Sequence, residues 1–171
     1  MRRFEPKRNP EVPRYHLRKK EQEITDPARK RRILKKGKYA TLALCRGHEP
    51  YAVTLNYGYD EQRNRLYFHS ALEGLKLDFL SHNPNVCATI IEDLGYMQGQ
   101  CDHRYRSLVM WGTISMVDDP DEKQHGMHIL LEHLERHPEE IEKRALSNQD
   151  IYQKVAILRM DITQICGKEH L

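Results

Sequence analysis

The residues of this chain best suited to chemistry lie between Leu66 and Leu80, a stretch that carries Ser70, Gly74 and Lys76. The apolar run before Ser70 is typical of a strand, and the leucines after it recur at helical spacing, so the pattern predicts a strand that leads directly into a helix. A helix N-terminus presents unpaired backbone N–H groups and the positive end of the helix dipole. Together with a serine hydroxyl and a lysine ammonium, this arrangement is suited to hold a phosphate monoester.

The same residues allow a purely structural interpretation. Ser70 and Glu73 have the spacing of a capping box, in which the serine caps the helix and the glutamate reaches back to it. Gly74 then interrupts a helix predicted over residues 71–82, at a cost of about 1 kcal/mol relative to alanine, and this cost suggests a close approach to the backbone. The residues alone leave both interpretations open.

Two more polar side chains precede this stretch. The run from Pro50 to Tyr59 alternates as a strand does, and Thr54 and Asn56 fall on the same face of it. They could offer polar groups to a ligand bound across the sheet. They could equally face solvent on an antiparallel sheet.

Six strands and several helices must position these residues. The strands are predicted over residues 39–46, 50–59, 65–69, 85–92, 104–117 and 154–162, with a loop over residues 93–103. Helices are predicted over residues 24–37, 71–82, 121–137 and 138–145, the first of them burying Ala28, Ile33 and Leu34. Both faces of the strand over residues 85–92 are apolar enough for burial. The pattern is compatible with a mainly β (α+β) fold, a six-stranded antiparallel barrel with peripheral helices, and it gives neither strand order nor ligand.

Composition limits the function classes. With 171 residues, 39% of them hydrophobic and 31% charged, the chain is expected to form a single domain over residues 21–171. No apolar run approaches a membrane span of about 20 residues and no signal peptide is recognised, so a cytoplasmic protein without a membrane partner is expected. The four cysteines are widely spaced, which indicates reduced thiols and no zinc site.

Basic residues are concentrated in the first 20 residues of the chain. Residues 1–20 form a predicted basic arm interrupted by prolines, although the whole chain carries a net charge of only +3. A solvated arm that wraps its own domain or a partner subunit is favoured over a nucleic-acid-binding arm. Four histidines on the predicted helix over residues 121–137 lack the zincin pattern, so a solvated, pH-sensitive face is expected there in preference to a metal site. They are His125, His128, His133 and His137.

Several separated blocks resemble one protein family. They are Tyr39-Ala-Thr-Leu-Ala-Leu, Pro50-Tyr-Ala-Val-Thr-Leu-Asn-Tyr-Gly58, Leu66-Tyr-Phe-His-Ser-Ala with Gly74 and Lys76, Asn83-Pro-Asn-Val-Cys87, and Tyr105-Arg-Ser-Leu-Val. In this order they resemble the nitroimidazole-resistance branch of the pyridoxamine 5′-phosphate oxidase-like flavoproteins, over about residues 21–165. The resemblance implies a split β-barrel homodimer with FMN bound at the subunit interface.

The resemblance also implies roles for individual residues. It places Ser70, Ala71, Gly74 and Lys76 at the flavin phosphate, and it places the strand residues Thr54, Leu55 and Asn56 at the polar edge of the ring. Arg106 and Ser107 contribute near the site. His69 becomes the candidate catalytic residue, for substrate contact or proton transfer, and the alternative is a strand histidine satisfied by the backbone.

The implied reaction is a two-stage redox cycle. NADH or NADPH reduces FMN, and the electrons then pass to a small-molecule acceptor, for which a nitro-aromatic is the candidate class. True pyridoxamine phosphate oxidation is disfavoured, because the substrate-phosphate residues of that oxidase cannot be matched. The competing hypothesis is a module that binds flavin or haem without rapid turnover.

Overall fold

The computed structural model describes residues 17–145 and 154–171, which are built around one antiparallel sheet. Its strands are β1 (Glu23–Ile24), β2 (Tyr39–Arg46), β3 (Glu49–Asn56), β4 (Gly58–Asp60), β5 (Arg65–Ser70), β6 (Asn85–Met97), β7 (Asp102–Met116) and β8 (Ala156–His170). The helices are α1 (Pro27–Lys36), α2 (Leu75–His82), α3 (Pro120–Leu134) and α4 (Pro138–Ala145), with a 3-10 turn at Lys20–Gln22. Most of the predicted basic arm, residues 1–16, lies outside the described residues, as does the connection over residues 146–153.

The strands are hydrogen-bonded in the order β3-β2-β6-β7-β8-β5-β4, and β1 pairs with β8. Every pairing is antiparallel, which confirms the predicted fold class. All six predicted strands are present. The strand predicted over residues 50–59 is divided into β3 and the three-residue β4, and the two-residue β1 is additional. The edge strand β3 also contacts β5, so the sheet curls back on itself as a split barrel does.

The main core fills the concave side of this curled sheet. Alternate residues of the long strands are buried there, among them Leu42, Leu66, Phe68, Val86, Ile90, Leu108, Met110, Leu158 and Met160. Ile33 and Leu34 of α1 and Phe79 of α2 close the core from the helical side. Because fully burying one such side chain is worth about 1.5–3 kcal/mol, the two-residue periodicity of these strands fixes which face turns inward.

Three strands, β6, β7 and β8, run further than predicted. The segment over residues 93–103 is not a loop, since β6 continues to Met97 and β7 begins at Asp102, so the two form a projecting hairpin. Likewise β8 ends at His170 rather than at Ile162. The hairpin is largely exposed on both faces, so its residues show no alternation that a sequence pattern could detect.

Three further predictions need correction. Helix α2 begins at Leu75 rather than at residue 71, because Gly74 has a φ of +139° that no helix contains. The strand predicted over residues 50–59 is divided at Tyr57, whose buried hydroxyl donates to the Leu34 carbonyl at 2.7 Å. Ala28 is exposed in the first turn of α1 instead of packing with Ile33 and Leu34.

Helix α3 packs over the β4, β5 and β8 end of the sheet. Asp119 is its N-cap, and the Asp119 Oδ1 accepts a hydrogen bond from the Glu122 N–H at 2.8 Å. Leu130 of α3 forms a second small core with Tyr67 and Ile157. None of the helices in the described ranges combines the length and apolar character needed to cross a bilayer.

Candidate functional site

Ser70 and Lys76 meet where β5 gives way to α2. The Lys76 Nζ donates to the Ser70 Oγ at 2.8 Å, and the Ser70 hydroxyl donates to the Ala71 carbonyl at 2.9 Å. Ser70 is 6% exposed and is the last residue of β5. The capping-box interpretation is therefore wrong, because the N-cap of α2 is Gly74 and no side chain caps it. An ammonium group held against a buried hydroxyl at a helix N-terminus is suited to an anion.

Gly74 determines how this helix terminus is presented. Its carbonyl accepts from the N–H groups of Leu77 at 2.9 Å and Asp78 at 3.2 Å. The N–H groups of Leu75 and Lys76 precede these first bonded donors, so they have no intrahelical acceptor. A Cβ added at Gly74 would meet no atom within 4 Å, and the positive φ is one that side-chain-bearing residues rarely adopt. Gly74 thus leaves two N–H groups beside open space.

His69 lies one residue before Ser70 and is exposed on the other face of β5. It stands opposite Ile157 of β8. Within residues 17–145 and 154–171 its imidazole makes no hydrogen bond, so the interpretation of a strand histidine satisfied by the backbone is wrong. The ring is free to meet a ligand at the outer side of the strand.

The polar residues of β3 lie near His69. In the register of β4 with β5, Gly58 stands opposite Tyr67, and extending this register back by two residues places Asn56 beside His69. The contact between β3 and β5 supports this placement. Asn56 donates to the Lys38 carbonyl at 3.1 Å, and the exposed Thr54 lies 2.9 Å from the hydroxyl of Thr41. Leu55 points inward and packs against the core.

Arg106 and Ser107 lie at the other end of the sheet. On β8, Glu169 stands opposite Arg106 and Ile157 stands opposite His69. These two residues of β8 are twelve positions apart in the chain. At about 3.3 Å per residue this separation is roughly 40 Å along the strand. One chain therefore brings His69, Ser70, Lys76 and the β3 residues together but not Arg106 and Ser107.

Arg106 is held in a network of ion pairs. Its Nη1 lies 2.9 Å from a Glu92 carboxylate oxygen, and its Nε lies 3.3 Å from Glu169, which also pairs with Arg29 at 2.6 Å. Hydrogen bonds from Lys36 and Arg106 lower the pKa of Glu92, and Glu92 in turn raises the pKa of Arg106. This network links α1 to β6, β7 and β8, so Arg106 is positioned by carboxylates that neutralise much of its charge.

The face of the sheet opposite the main core was not identified from the sequence as a continuous surface. Its register runs from Thr54 through Thr41, Thr89 and Val109 to Cys166, across five strands. Tyr39 and Ile91 on this face are 61% and 66% exposed. The sequence indicated this surface only in the strand over residues 85–92, both faces of which are apolar enough for burial. The residues of its second face, Cys87, Thr89 and Ile91, are half-buried or exposed in the single chain. We refer to this surface as the outer face.

The four histidines predicted to form a solvated face differ in exposure, since His128 and His137 are exposed whereas His125 and His133 are half-buried. His125 lies 2.8 Å from the Asp60 carboxylate, His128 lies 2.6 Å from Glu142, and His133 lies 2.6 Å from the Gly37 carbonyl. Burial lowers the pKa of His133, whereas the pairing with Glu142 raises the pKa of His128. Each of these three side chains thus joins α3 or α4 to a neighbouring element. In the part of the chain that the structure describes, no three of its potential ligands are grouped to hold a metal ion.

Comparison with known proteins gives a consistent result. Residues 26–169 match the sequence profile of the pyridoxamine 5′-phosphate oxidase family. No curated protein matches the chain.

Solved structures with the same fold include flavin-related proteins. A candidate 5-nitroimidazole antibiotic resistance protein from Bacteroides thetaiotaomicron is 25% identical, with 86% of each chain covered and a TM-score of 0.69. An FAD- and haem-binding protein from Mycobacterium smegmatis is 18% identical, with 86% of this chain and 73% of that chain covered and a TM-score of 0.72. An FAD-binding protein from Mesorhizobium loti is 21% identical, with 88% and 98% covered and a TM-score of 0.63.

Proposed function

The chain belongs to the pyridoxamine 5′-phosphate oxidase family, and we propose that it is an FMN-binding flavoprotein that uses NADH or NADPH to reduce a small molecule. The observation that carries the proposal is the contact of Lys76 with the buried Ser70 at the uncapped N-terminus of α2. The FAD-binding proteins that share the fold support a flavin as the ligand.

The residues present fit the phosphate end of FMN. A phosphate oxygen can replace the Ser70 Oγ as the acceptor for the Lys76 ammonium, while the hydroxyl turns from the Ala71 carbonyl to donate to the ligand. The N–H groups of Leu75 and Lys76 supply two further donors beside Gly74. Charge, donors and open space thus coincide at the end of β5.

The ring end of the flavin then lies along β3. Thr54 and Asn56 carry hydroxyl and amide groups that can meet the polar edge of an isoalloxazine ring, and Leu55 anchors the strand in the core between them. Bound FMN supplies reversible two-electron chemistry, and the protein supplies position and hydrogen bonds. His69, exposed beside Asn56, is the group that can hand a proton to the reduced substrate through a ring nitrogen.

A homodimer completes this site. The outer face exposes the apolar side chains of Tyr39 and Ile91 in one chain, and Arg106 and Ser107 lie about 40 Å along β8 from His69. Two copies packed through their outer faces about a two-fold axis can bring the Ser70–Lys76 end of one subunit to Ser107 of the partner subunit. The flavin would then bind at the subunit interface.

A nitro-aromatic compound is the proposed class of electron acceptor. The Bacteroides protein that is 25% identical over 86% of the chain supports this class, because its description concerns resistance to a 5-nitroimidazole antibiotic.

The proposal is tested by identifying the cofactor. The purified protein should show flavin absorption near about 375 and 450 nm, and mass analysis of the released compound should give FMN. Anaerobic NADH or NADPH should bleach the 450 nm band, and a nitro-aromatic should restore it. A Soret band in place of the flavin bands would favour the haem-binding alternative, and a flavin that neither nucleotide bleaches would leave a binding module without the reductase activity.

A further inference from the structure

A cleft at the end of the sheet that holds Arg106 is lined by three basic side chains that form no ion pair within residues 17–145 and 154–171. Its volume is about 270 Å³, and it lies between the start of β7, the end of β8 and residues 17–22. Arg18, Lys19 and Lys168 line it, together with the ring of Tyr105. We refer to it as the basic cleft.

The walls of the basic cleft are fixed by hydrogen bonds. His170 is held from both sides, with its Nδ1 3.0 Å from the Gln22 amide and its Nε2 2.7 Å from the Asp102 carboxylate. Asp102 is the one acidic residue among the described residues of the lining, and its pKa is lowered by the hydrogen bond from the His103 N–H, by His170 and by the nearby charge of Lys19. The Lys168 ammonium lies 5.4 Å from the centre of the Tyr105 ring, at the other wall.

Four basic residues of α1 are paired with carboxylates, unlike the three cations of the basic cleft. On α1, Arg29 pairs with Glu169, Arg31 and Lys35 pair with Glu61, and Lys36 pairs with Glu92. Arg18, Lys19 and Lys168 line one concave site and form no ion pair within residues 17–145 and 154–171, and Lys19 interacts at longer range with the charge of Asp102. Cations that converge on a concavity without acidic partners are an electrostatic signature of an anionic ligand.

The volume and position of the basic cleft limit the kinds of ligand that it can bind. The volume of the basic cleft is near the lower limit of about 300 Å³ for small-molecule pockets, which admits a phosphorylated sugar and excludes a whole dinucleotide. Tyr105, in its lining, is the residue before Arg106, so the basic cleft lies at the end of β7 that carries the second group of proposed site residues.

We infer that the basic cleft binds the 2′-phosphate of NADPH and makes the protein select NADPH over NADH. The inference rests on the proposed function, in which a reduced nicotinamide is the electron donor. NADPH differs from NADH only by this phosphate, and three unpaired cations can recognise it through charge-assisted hydrogen bonds.

The test measures binding separately from electron transfer. Adenosine 2′,5′-bisphosphate and AMP are titrated calorimetrically into the full-length protein, with and without added FMN. The bisphosphate should bind the wild type at least about tenfold more tightly than AMP, and the difference should shrink as salt screens the charges over about 8 Å near physiological ionic strength. Lys168→Gln and the double variant Arg18→Gln with Lys19→Gln should each remove most of this preference. Arg32→Gln, which removes an exposed cation from α1 outside the basic cleft, should leave it unchanged.

Three results on binding would overturn the inference. The first is that the wild type binds the two nucleotides with equal affinity or binds neither. The second is that the cleft variants still prefer the bisphosphate to AMP. The third is that those variants lose FMN, which would assign the basic cleft to the flavin instead. FMN content and bleaching by each nucleotide are recorded on the same samples. A wild type that keeps FMN and is bleached equally by NADH and NADPH contradicts this inference alone, whereas a chain that binds no flavin contradicts the proposed function while the bisphosphate titration still tests the basic cleft.

Discussion

At the scale of single residues, the proposed flavin site depends most directly on Lys76. Its ammonium is only partly exposed and has the buried Ser70 hydroxyl as its partner, so it is already oriented toward the end of β5. A pre-oriented cation loses less conformational entropy on binding than a free lysine side chain does. This orientation was not visible in the sequence, which showed only the spacing of the two residues.

Lys76→Ala should weaken FMN binding about 10- to 100-fold, because it removes a charge-assisted hydrogen bond worth about 1.5–3 kcal/mol. The dissociation constant is measured by the quenching of flavin fluorescence on titration. Lys143→Ala, at an exposed position of α4, serves as the control and should bind FMN as the wild type does. Equal FMN affinity in the Lys76 variant would contradict the phosphate assignment.

His69, which is exposed on β5, is the residue that we propose for the substrate side. His69→Gln should retain FMN but transfer electrons to a nitro-aromatic about 100-fold more slowly, the lower end of the usual contribution of general acid catalysis. Stopped-flow reoxidation of the reduced flavin under anaerobic conditions measures this rate. His48→Gln, in the exposed turn before β3, is the matched control. An unchanged rate in the His69 variant would remove His69 from the mechanism.

At the scale of elements, α3 is held against the sheet by close backbone contact as well as by side chains. A Cβ at Gly58 of β4 would lie 2.7 Å from the carbonyl oxygen of Ile129 and 2.7 Å from the backbone nitrogen of Leu130. Both atoms belong to the α3 backbone and cannot rotate away, so only glycine permits this approach. Gly58 is therefore required for the close packing of β4 against α3.

Gly58→Ala should lower the free energy of unfolding by about 1–3 kcal/mol, the usual range for an overpacked contact. Chemical denaturation followed by circular dichroism gives this value. Ser115→Ala, at an exposed position of β7, tests whether a small change in a strand alone has an effect, and it should be nearly neutral. A stable Gly58 variant would show that α3 can move away from β4 at little cost.

Helix α4 is joined to α3 by a titratable contact. His128 lies 2.6 Å from Glu142 and 3.2 Å from Glu132, and the hydrogen bond to Glu142 is the main reason that the pKa of His128 is raised. Because the pKa of His128 is higher in the folded state, its protonation stabilises the fold fully below the unfolded pKa of about 6.5, and this contribution is lost as the pH rises through the folded pKa.

His128→Gln should therefore lower the unfolding temperature most below about pH 6.5, and this effect should fade as the pH rises through the raised folded-state pKa of His128. Thermal denaturation of both proteins across this range measures the difference. His137→Gln, an exposed histidine beyond the end of α3, should show no such pH-dependent difference from the wild type. A constant difference at all pH values would mean that the charge of His128 plays no part.

At the scale of the whole molecule, the outer face decides whether one chain can form a complete site. Ile91→Glu should convert the proposed dimer into a monomer and reduce FMN retention, because an unpaired carboxylate in an apolar interface is strongly destabilising. Analytical ultracentrifugation and flavin absorbance are measured on the same sample. Met116→Glu changes an apolar residue of similar exposure that is not on the outer face and should preserve the dimer. A monomeric wild type that retains FMN would refute the shared site.

The sequence by itself determined the elements whose side chains alternate between core and solvent. Residues 39–46 formed β2 with the predicted bounds, and the proline and glycine around α1 marked its ends, because burial and capping are local preferences. The resemblance over several blocks gave the family, which the match over residues 26–169 confirmed. The projecting hairpin escaped prediction because most of its side chains on both faces lie in water.

Only the tertiary structure decided how the candidate residues are grouped. The register of β5 and β7 on β8 is set by hydrogen bonds between residues far apart in sequence, and this register separates Arg106 and Ser107 from His69 and Lys76 within one chain. The positive φ of Gly74, the contact between Lys76 and Ser70 and the convergence of Arg18, Lys19 and Lys168 likewise depend on the folded backbone. Residue types gave the available chemistry, and long-range pairing of the strands selected which residues could act together.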